Sequence, residues 1–173
     1  MPFENNHFDL ITSNPGINNF REPQKALNEC FRVLKPNGEI FITTNTVGHI
    51  RLFYSIYEVV LKNEGLAESI SGLKKQEAQR KTAEEFAEMF QKAGFQINKT
   101  TNENLTLRYL DGSAFLRHSL TISGFIVGWR SILKKEEEAA VFKKTEERLY
   151  EIAAKKGELR MDIPMLLIQA KKD

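Results

Sequence analysis

The 173-residue sequence predicts an α/β fold. A short apolar strand at residues 8–13 is followed by a helix-period stripe. A second, nearly continuous apolar strand then runs over residues 39–45. The connection between the strands contains a helix and is long enough for the right-handed crossover that parallel neighbours require. The composition is 41% hydrophobic and 28% charged, with ten Gly and five Pro, which is that of a globular chain and not a disordered or fibrous one. The length suits one domain, and a single domain over residues 1–173 is expected.

The elements follow in order. Phe8, Leu10 and Ile11 form the apolar centre of the first strand, which ends in Thr12-Ser13. Asn14-Pro15-Gly16 is a turn, since Pro disfavours helix in the residue before it. Pro23 opens a helix at its first turn. Ala26, Leu27, Cys30, Phe31 and Leu34 lie on one face of it, and Lys35-Pro36-Asn37-Gly38 ends it. The second strand, Glu39-Ile40-Phe41-Ile42-Thr43-Thr44-Asn45, reads as one covered on both faces.

A helix with a wide apolar face is predicted from Ile50 to Glu64, closed by Gly65, and a short helix or cover over 66–81. Thr82-Ala83-Glu84-Glu85 is a capping box, and Gly94 sits where a helix ends in a left-handed residue. A strand starts at Phe95-Gln96-Ile97 and resumes at 105–109. Residues 112–133 read as helix plus loop, broken at Gly124 and Gly128. Glu136 to Lys156 is a long helix, acidic at its start and basic at its end, as the helix dipole favours. A final strand covers 163–170, with Pro164 near its start or on an unpaired side. Segments 50–81 and 112–133 are expected as lid or acceptor cover.

Charge and cysteine usage narrow the partners. The formal net charge of +2 gives no electrostatic case for nucleic acid. A single cysteine, Cys30, excludes an internal disulfide framework and reads as a small hydrophobe on a helix stripe. The three His lack metal-ligand spacing, so no metal site is expected. No apolar run is long enough to span a bilayer and no leader is visible, so the expected setting is cytoplasmic, with no membrane partner.

Two segments then resemble a known family. Pro2-Phe3-Glu4-Asn5-Asn6-His7-Phe8-Asp9-Leu10-Ile11 and Lys25-Ala26-Leu27-Asn28-Glu29-Cys30-Phe31-Arg32-Val33-Leu34-Lys35-Pro36-Asn37-Gly38 resemble the second half of class I S-adenosylmethionine-dependent methyltransferases. The branch they resemble is related to the ubiquinone/menaquinone-biosynthesis methyltransferases, of the methyltransferase type 11 kind. The pattern there is "LPF", an acidic residue, "FD", a turn, then "AL-x-E-x-x-RVLKPGG". The resemblance implies a partial Rossmann-like sheet, strands 4-5-7-6 of a seven-stranded order, with flanking helices. Residues 8–13 stand for strand 4, 39–45 for strand 5, and 163–170 for the antiparallel strand 7.

It also implies S-adenosylmethionine as cofactor and a small-molecule acceptor. The family holds its donor on a Gly-rich turn after strand 1 and an acidic residue ending strand 2. The 173 residues contain no Gly-x-Gly. The expectation is therefore a methyltransferase truncated before that turn, binding donor weakly and inactive alone. The alternative is a non-catalytic half-domain that pairs through an exposed strand edge, as a homodimer or with a separate amino-terminal chain. Half of a nucleotide-dependent reductase is opposed by the Arg32-Val33-Leu34-Lys35-Pro36 run.

Candidate site residues lie where open α/β sheets bind ligands, at the carboxyl ends of their strands. The resemblance places Ser13, Asn14 and Pro15 beside the methionine end of the donor. Asn18, Asn19 and Phe20 fall in the loop where the family faces its substrate, and Thr44 and Asn45 end the second strand. His49 follows as a candidate general base, since a His titrates in the right range; the alternatives for it are a helix cap or a solvated side chain. Asn14-Pro15 also resembles the start of the Asn-Pro-Pro-aromatic signature of amino-group methyltransferases, but Gly16 stands where the second Pro would be.

Overall fold

The strand–helix–strand expectation holds in the computed structural model, which describes residues 1–173. The chain runs β1 (Phe8–Ser13), a 3-10 turn (Ile17–Asn19), α1 (Pro23–Val33), β2 (Leu34–Asn45), α2 (Arg51–Asn63), α3 (Ala67–Glu77) and α4 (Ala83–Ala93). It continues with β3 (Gln96–Tyr109), α5 (Gly112–Leu116), α6 (Ser119–Gly124), α7 (Ile126–Ser131), α8 (Lys135–Lys156) and β4 (Leu159–Lys171). The strands form one sheet in the order β1-β2-β4-β3. β1 and β2 are parallel, with Leu10 opposite Glu39 and Ser13 opposite Ile42. β4 is antiparallel to β2, from Glu39 opposite Lys171 to Asn45 opposite Met165. This is the expected 4-5-7-6 order.

The residues divide into two compact units: 1–47, 80–105 and 164–173 form the first, and 48–79 and 106–163 the second. The first has an aliphatic core on the sheet, with Leu27, Leu34, Ile40, Ile42, Leu166 and Ile168 buried together with Phe86 and Phe90. Pro23 opens α1 as expected, and Leu27 and Val33 are its fully buried residues. Cys30 is half-buried and free, and burial pushes its thiol up. The capping box of α4 is complete: the Thr82 side chain accepts from the Glu85 amide, and the Glu85 carboxylate accepts from the Thr82 amide. Gly94 ends the helix at φ +99, and a Cβ there would stand 2.9 Å from the Phe31 ring. Only glycine meets both conditions at that position.

β2 starts at Leu34, ahead of the predicted Glu39. Between Phe8 and Leu10 of β1, two steps along the chain, β2 advances from Leu34 to Glu39. Lys35-Pro36-Asn37-Gly38 is thus the predicted helix stop and also an excursion in the ladder. The tail of β4 holds it, since the Asn37 amide donates to the Lys172 carbonyl and the Lys172 amide donates back to Gly38. β3 is one strand where two pieces are predicted. Its middle, Asn98-Lys99-Thr100-Thr101-Asn102-Glu103-Asn104, has no apolar alternation, and β3 is the last strand of the sheet. A polar edge strand satisfies its backbone on one side without a buried face. β4 begins four residues earlier than predicted, so Pro164 lies inside it, next to the last β2 pair, where its carbonyl accepts from the Thr46 amide.

The second unit has an aromatic core. Phe53 stacks on Trp129 at 3.8 Å, and the Tyr57 hydroxyl donates to the Trp129 carbonyl at 3.0 Å. Burial raises the Tyr57 hydroxyl well above its ordinary range. α8 spans the predicted long helix, with Val141, Thr145, Leu149 and Ala153 buried along one stripe. Gly124 ends α6 as predicted, but Gly128 lies inside α7 and breaks nothing. Its carbonyl accepts from the Gln76 side chain on α3, a partner far away in sequence. Of the two expected cover segments, 50–79 and 112–133 lie in this unit and residues 80 and 81 in the first.

Candidate functional site

The parallel pairing of β1 and β2 brings Ser13 and Asn45 to the same end of the sheet. The chain leaves β1 through Asn14-Pro15-Gly16. Gly16 keeps this turn close to β1, since a Cβ there would lie 3.0 Å from the Ser13 hydroxyl, which would have to give way. Ile17, 2% exposed, anchors the 3-10 turn in the core of the first unit. That anchor leaves the next three residues, Asn18, Asn19 and Phe20, at the sheet end.

Side-chain hydrogen bonds stitch the two strand ends together. The Asn18 amide nitrogen is 2.6 Å from Thr44 Oγ1, 2.8 Å from the Asn45 carbonyl and 2.6 Å from Asn45 Oδ1. An amide has two N–H groups for these three acceptors, so they share its protons. The Thr43 hydroxyl donates to Asn14 Oδ1. Thr44 is 1% exposed, so its pairing with Asn18 satisfies a buried hydroxyl. Two hydrogen-bonded groups, Asn14 with Thr43 and Asn18 with Thr44 and Asn45, thus lie at this end of the sheet as a polar cluster. Asn19 and Phe20 are exposed beside it, Phe20 with 54% of its surface in solvent, and the Asn19 amide donates to the Gly16 carbonyl. Pro15 is exposed and Ser13 half-buried. None of these side chains titrates near neutral pH, so the cluster offers hydrogen bonds and shape, not proton transfer.

His49 belongs to the second unit. It is 7% exposed and stacks on Phe125 at 5.1 Å, so packing sets the ring plane. It is neither solvated nor the cap residue of α2, which is Ile50. Ile50 adopts φ +45, a left-handed conformation that a β-branched residue takes at a cost of order 1–3 kcal/mol. His118 caps α6 through Nδ1, which accepts from the Leu120 amide at 3.3 Å, and packs edge-on to Tyr109. No group of three or more His, Cys, Asp or Glu side chains is arranged to hold a metal ion.

The sequence places Thr43 at the end of the second strand but not its partner, and it gives no sign of what Lys172 does. Thr43 matters through its tie to Asn14, a partner 29 positions away. Lys172 donates to Asn6 Oδ1 and to the Phe31 and Leu34 carbonyls, and its ammonium lies 4.7 Å from the centre of the Phe31 ring. A terminal lysine carries no local signal of either role.

Residues 1–108 match the model of the ubiE/COQ5 methyltransferase family. The bovine (Bos taurus) mitochondrial 2-methoxy-6-polyprenyl-1,4-benzoquinol methylase is 38% identical over 115 residues, 61% of this chain and 34% of that protein. The ubiquinone/menaquinone biosynthesis C-methyltransferase UbiE of Cereibacter sphaeroides is 32% identical over 126 residues, 64% of this chain and 48% of that protein. The matched segments thus span between a third and a half of these relatives. Among solved structures, a candidate methyltransferase of Bacillus halodurans C-125 superposes with a TM-score of 0.55 at 18% identity. It covers 99% of this chain and 67% of its own. That likeness concerns the fold.

Proposed function

We propose that this chain, which belongs to the ubiE/COQ5 methyltransferase family, takes part in S-adenosylmethionine-dependent C-methylation of a quinol ring bearing a polyprenyl tail. The bovine relative's name supplies the acceptor class and the Cereibacter relative's name the C-methylation. The observation that carries the site is the cluster of Asn14, Asn18, Thr43, Thr44 and Asn45 at the joined carboxyl ends of β1 and β2. S-adenosylmethionine, when bound, supplies a methyl group on a sulfonium that leaves readily. Alignment therefore matters more than acid–base help.

The residues present fit one side of such a ligand. Ser13 and Asn14 offer a hydroxyl and an amide toward the donor's methionine end. Asn19 and Phe20 offer an amide and an apolar ring to the acceptor. Asn18 is spent on Thr44 and Asn45, so its role is to hold the loop against β2. His49 is proposed, on its chemistry alone, as a general base. The 173 residues contain no Gly-x-Gly turn for the donor's other side, so donor binding by this chain is weak.

Calorimetry of the chain with S-adenosylmethionine is expected to show affinity weaker than micromolar. Amide NMR shifts on adding the donor are expected over Ser13–Phe20 and Thr43–Asn45. Micromolar affinity would overturn the weak-binding claim, and shifts confined to other residues would overturn the site.

A second reading rests on the free side of β1. That strand has a partner on one side only, and Leu10 on it is 54% exposed. Such an edge can accept a strand from another chain. Light scattering that finds only monomer across a wide concentration range removes the homodimer form of this reading.

A further inference from the structure

The segment from Leu110 to Lys135 has a property that the proposed site does not use. Leu110, Leu120, Ile122 and Val127 are 78%, 59%, 49% and 74% exposed. They sit before α5, on α6 and on α7, three consecutive short helices that pack successively on one another. Each exposed aliphatic costs free energy in water, and four within eighteen positions exceed the scattered exposure of an ordinary surface.

The charge of the same segment is one-sided. From Gly112 to Lys135 there is no Asp or Glu, while Arg117, Arg130, Lys134 and Lys135 are basic and exposed. In a chain that is 28% charged with nearly balanced signs, that stretch stands apart. Arg130 and Lys135 lie 3.7 and 3.4 Å from Glu138, and Lys134 lies 3.8 Å from Glu137. The cations of these pairs are exposed and the two carboxylates half-buried, and the separations of 3.4–3.8 Å are long for an ion pair. No helix of the chain is long and apolar enough to cross a membrane. The pattern is that of an element lying on a bilayer, with aliphatic side chains entering the acyl boundary and flanking cations at the phosphate level.

We propose that α5–α7, through Leu110, Leu120, Ile122 and Val127 with Arg117, Arg130, Lys134 and Lys135, form a docking surface for an anionic lipid bilayer. The inference extends the proposed function, because an acceptor with a polyprenyl tail resides in a bilayer and an enzyme that methylates it must meet it there. From sequence alone no membrane partner is expected, because that expectation rests on the length of apolar runs. Exposure in the folded chain is what changes it.

The test is flotation of the full chain with vesicles of phosphatidylcholine alone and with about a third phosphatidylglycerol. The chain is expected to float with the anionic vesicles and much less with the neutral ones. Leu120→Asp/Val127→Asp is expected to lower binding at least about tenfold, since binding scales with the apolar area inserted. Arg117→Glu is expected to lower it severalfold, and added salt to weaken it. Leu105→Asp, an equally exposed aliphatic in the first unit, is expected to leave binding unchanged. Trp129 fluorescence checks that each variant is folded.

Failure of the folded wild type to bind anionic vesicles overturns the proposal. So does binding that Leu120→Asp/Val127→Asp leaves intact, or a soluble dimer that the same double variant dissociates. Flotation is read without donor or acceptor. Its failure therefore leaves the methyltransferase reading standing, and the failure of donor binding leaves this one standing.

Discussion

The two compact units differ in what makes them fold. The first is a sheet unit whose core is largely aliphatic and whose elements announce themselves locally, through Pro23, the Thr82–Glu85 box, Gly94 and the apolar run of β2. The second is mostly helical and is organised by contacts between residues distant in sequence. Phe53 meets Trp129 far along the chain, and the Tyr57 hydroxyl reaches the Trp129 carbonyl. The family match covers residues 1–108, and the Trp129 half of this aromatic core lies beyond it. A unit built on local signals can be read residue by residue. One built on a central aromatic stack can be read only once it is folded.

The sharpest way to break that comparison is to remove each centre in turn. Trp129→Ala deletes a side chain that is 1% exposed and stacked on Phe53, and such a change costs about 3–5 kcal/mol. Hydrogen exchange is expected to lose protection over 48–79 and 106–163 first, with β1, β2 and α4 retaining more of theirs. Leu27→Ala, at a site of 0% exposure, costs about 2–5 kcal/mol and is expected to show the opposite pattern, with Trp129 fluorescence still native. Equal loss over the whole chain in both variants would mean that the two units are one cooperative structure.

A smaller effect tests the claim that the first unit is locally encoded. Thr82→Ala removes the side-chain half of the α4 capping box and is expected to cost about 1 kcal/mol in denaturant unfolding. Thr82→Ser is expected to restore most of it. If serine restores nothing, the threonine acts through packing and not through its hydroxyl.

The limits of legibility follow the same division. The parallel pair β1–β2, the Pro23 start of α1 and the capping box of α4 were readable, and the family resemblance carried the order of the sheet. The start and the cap depend on residues a few positions apart, and the parallel pair on the length of its helical connection. The continuity of β3 was not, because a polar edge strand lacks the alternation that marks a strand. The place of Gly128 inside α7 was not, because the α3 side chain of Gln76 that holds it lies 52 positions away. At the site, sequence named Asn18 as substrate-facing. Its amide is committed instead to Thr44 and Asn45, 26 and 27 positions on, and a side chain's partners at that distance appear only when strands close on each other.

The smallest predicted effect is electrostatic and belongs to the second unit alone. Glu58 on α2 accepts from Lys62 on its own helix and from Lys74 on α3, each at 2.7 Å. Those ammonium groups, Lys62 first and Lys74 next, hold the Glu58 carboxyl at about 2, below its ordinary 4.5. The folded state thus favours the ionised carboxylate. Its contribution to stability is complete above about pH 4.5 and is lost as the pH falls from there towards about 2. The carboxylate stays partly solvated and the pair is screened by salt, so the effect is modest. Urea midpoints followed by Trp129 fluorescence between pH 5 and pH 2 are expected to fall less steeply in Glu58→Gln than in the wild type, and the difference is expected to shrink in high salt. Identical slopes in the two proteins would show that the α2–α3 bridge contributes nothing, leaving packing around Leu73, buried at 0% exposure, to join those helices.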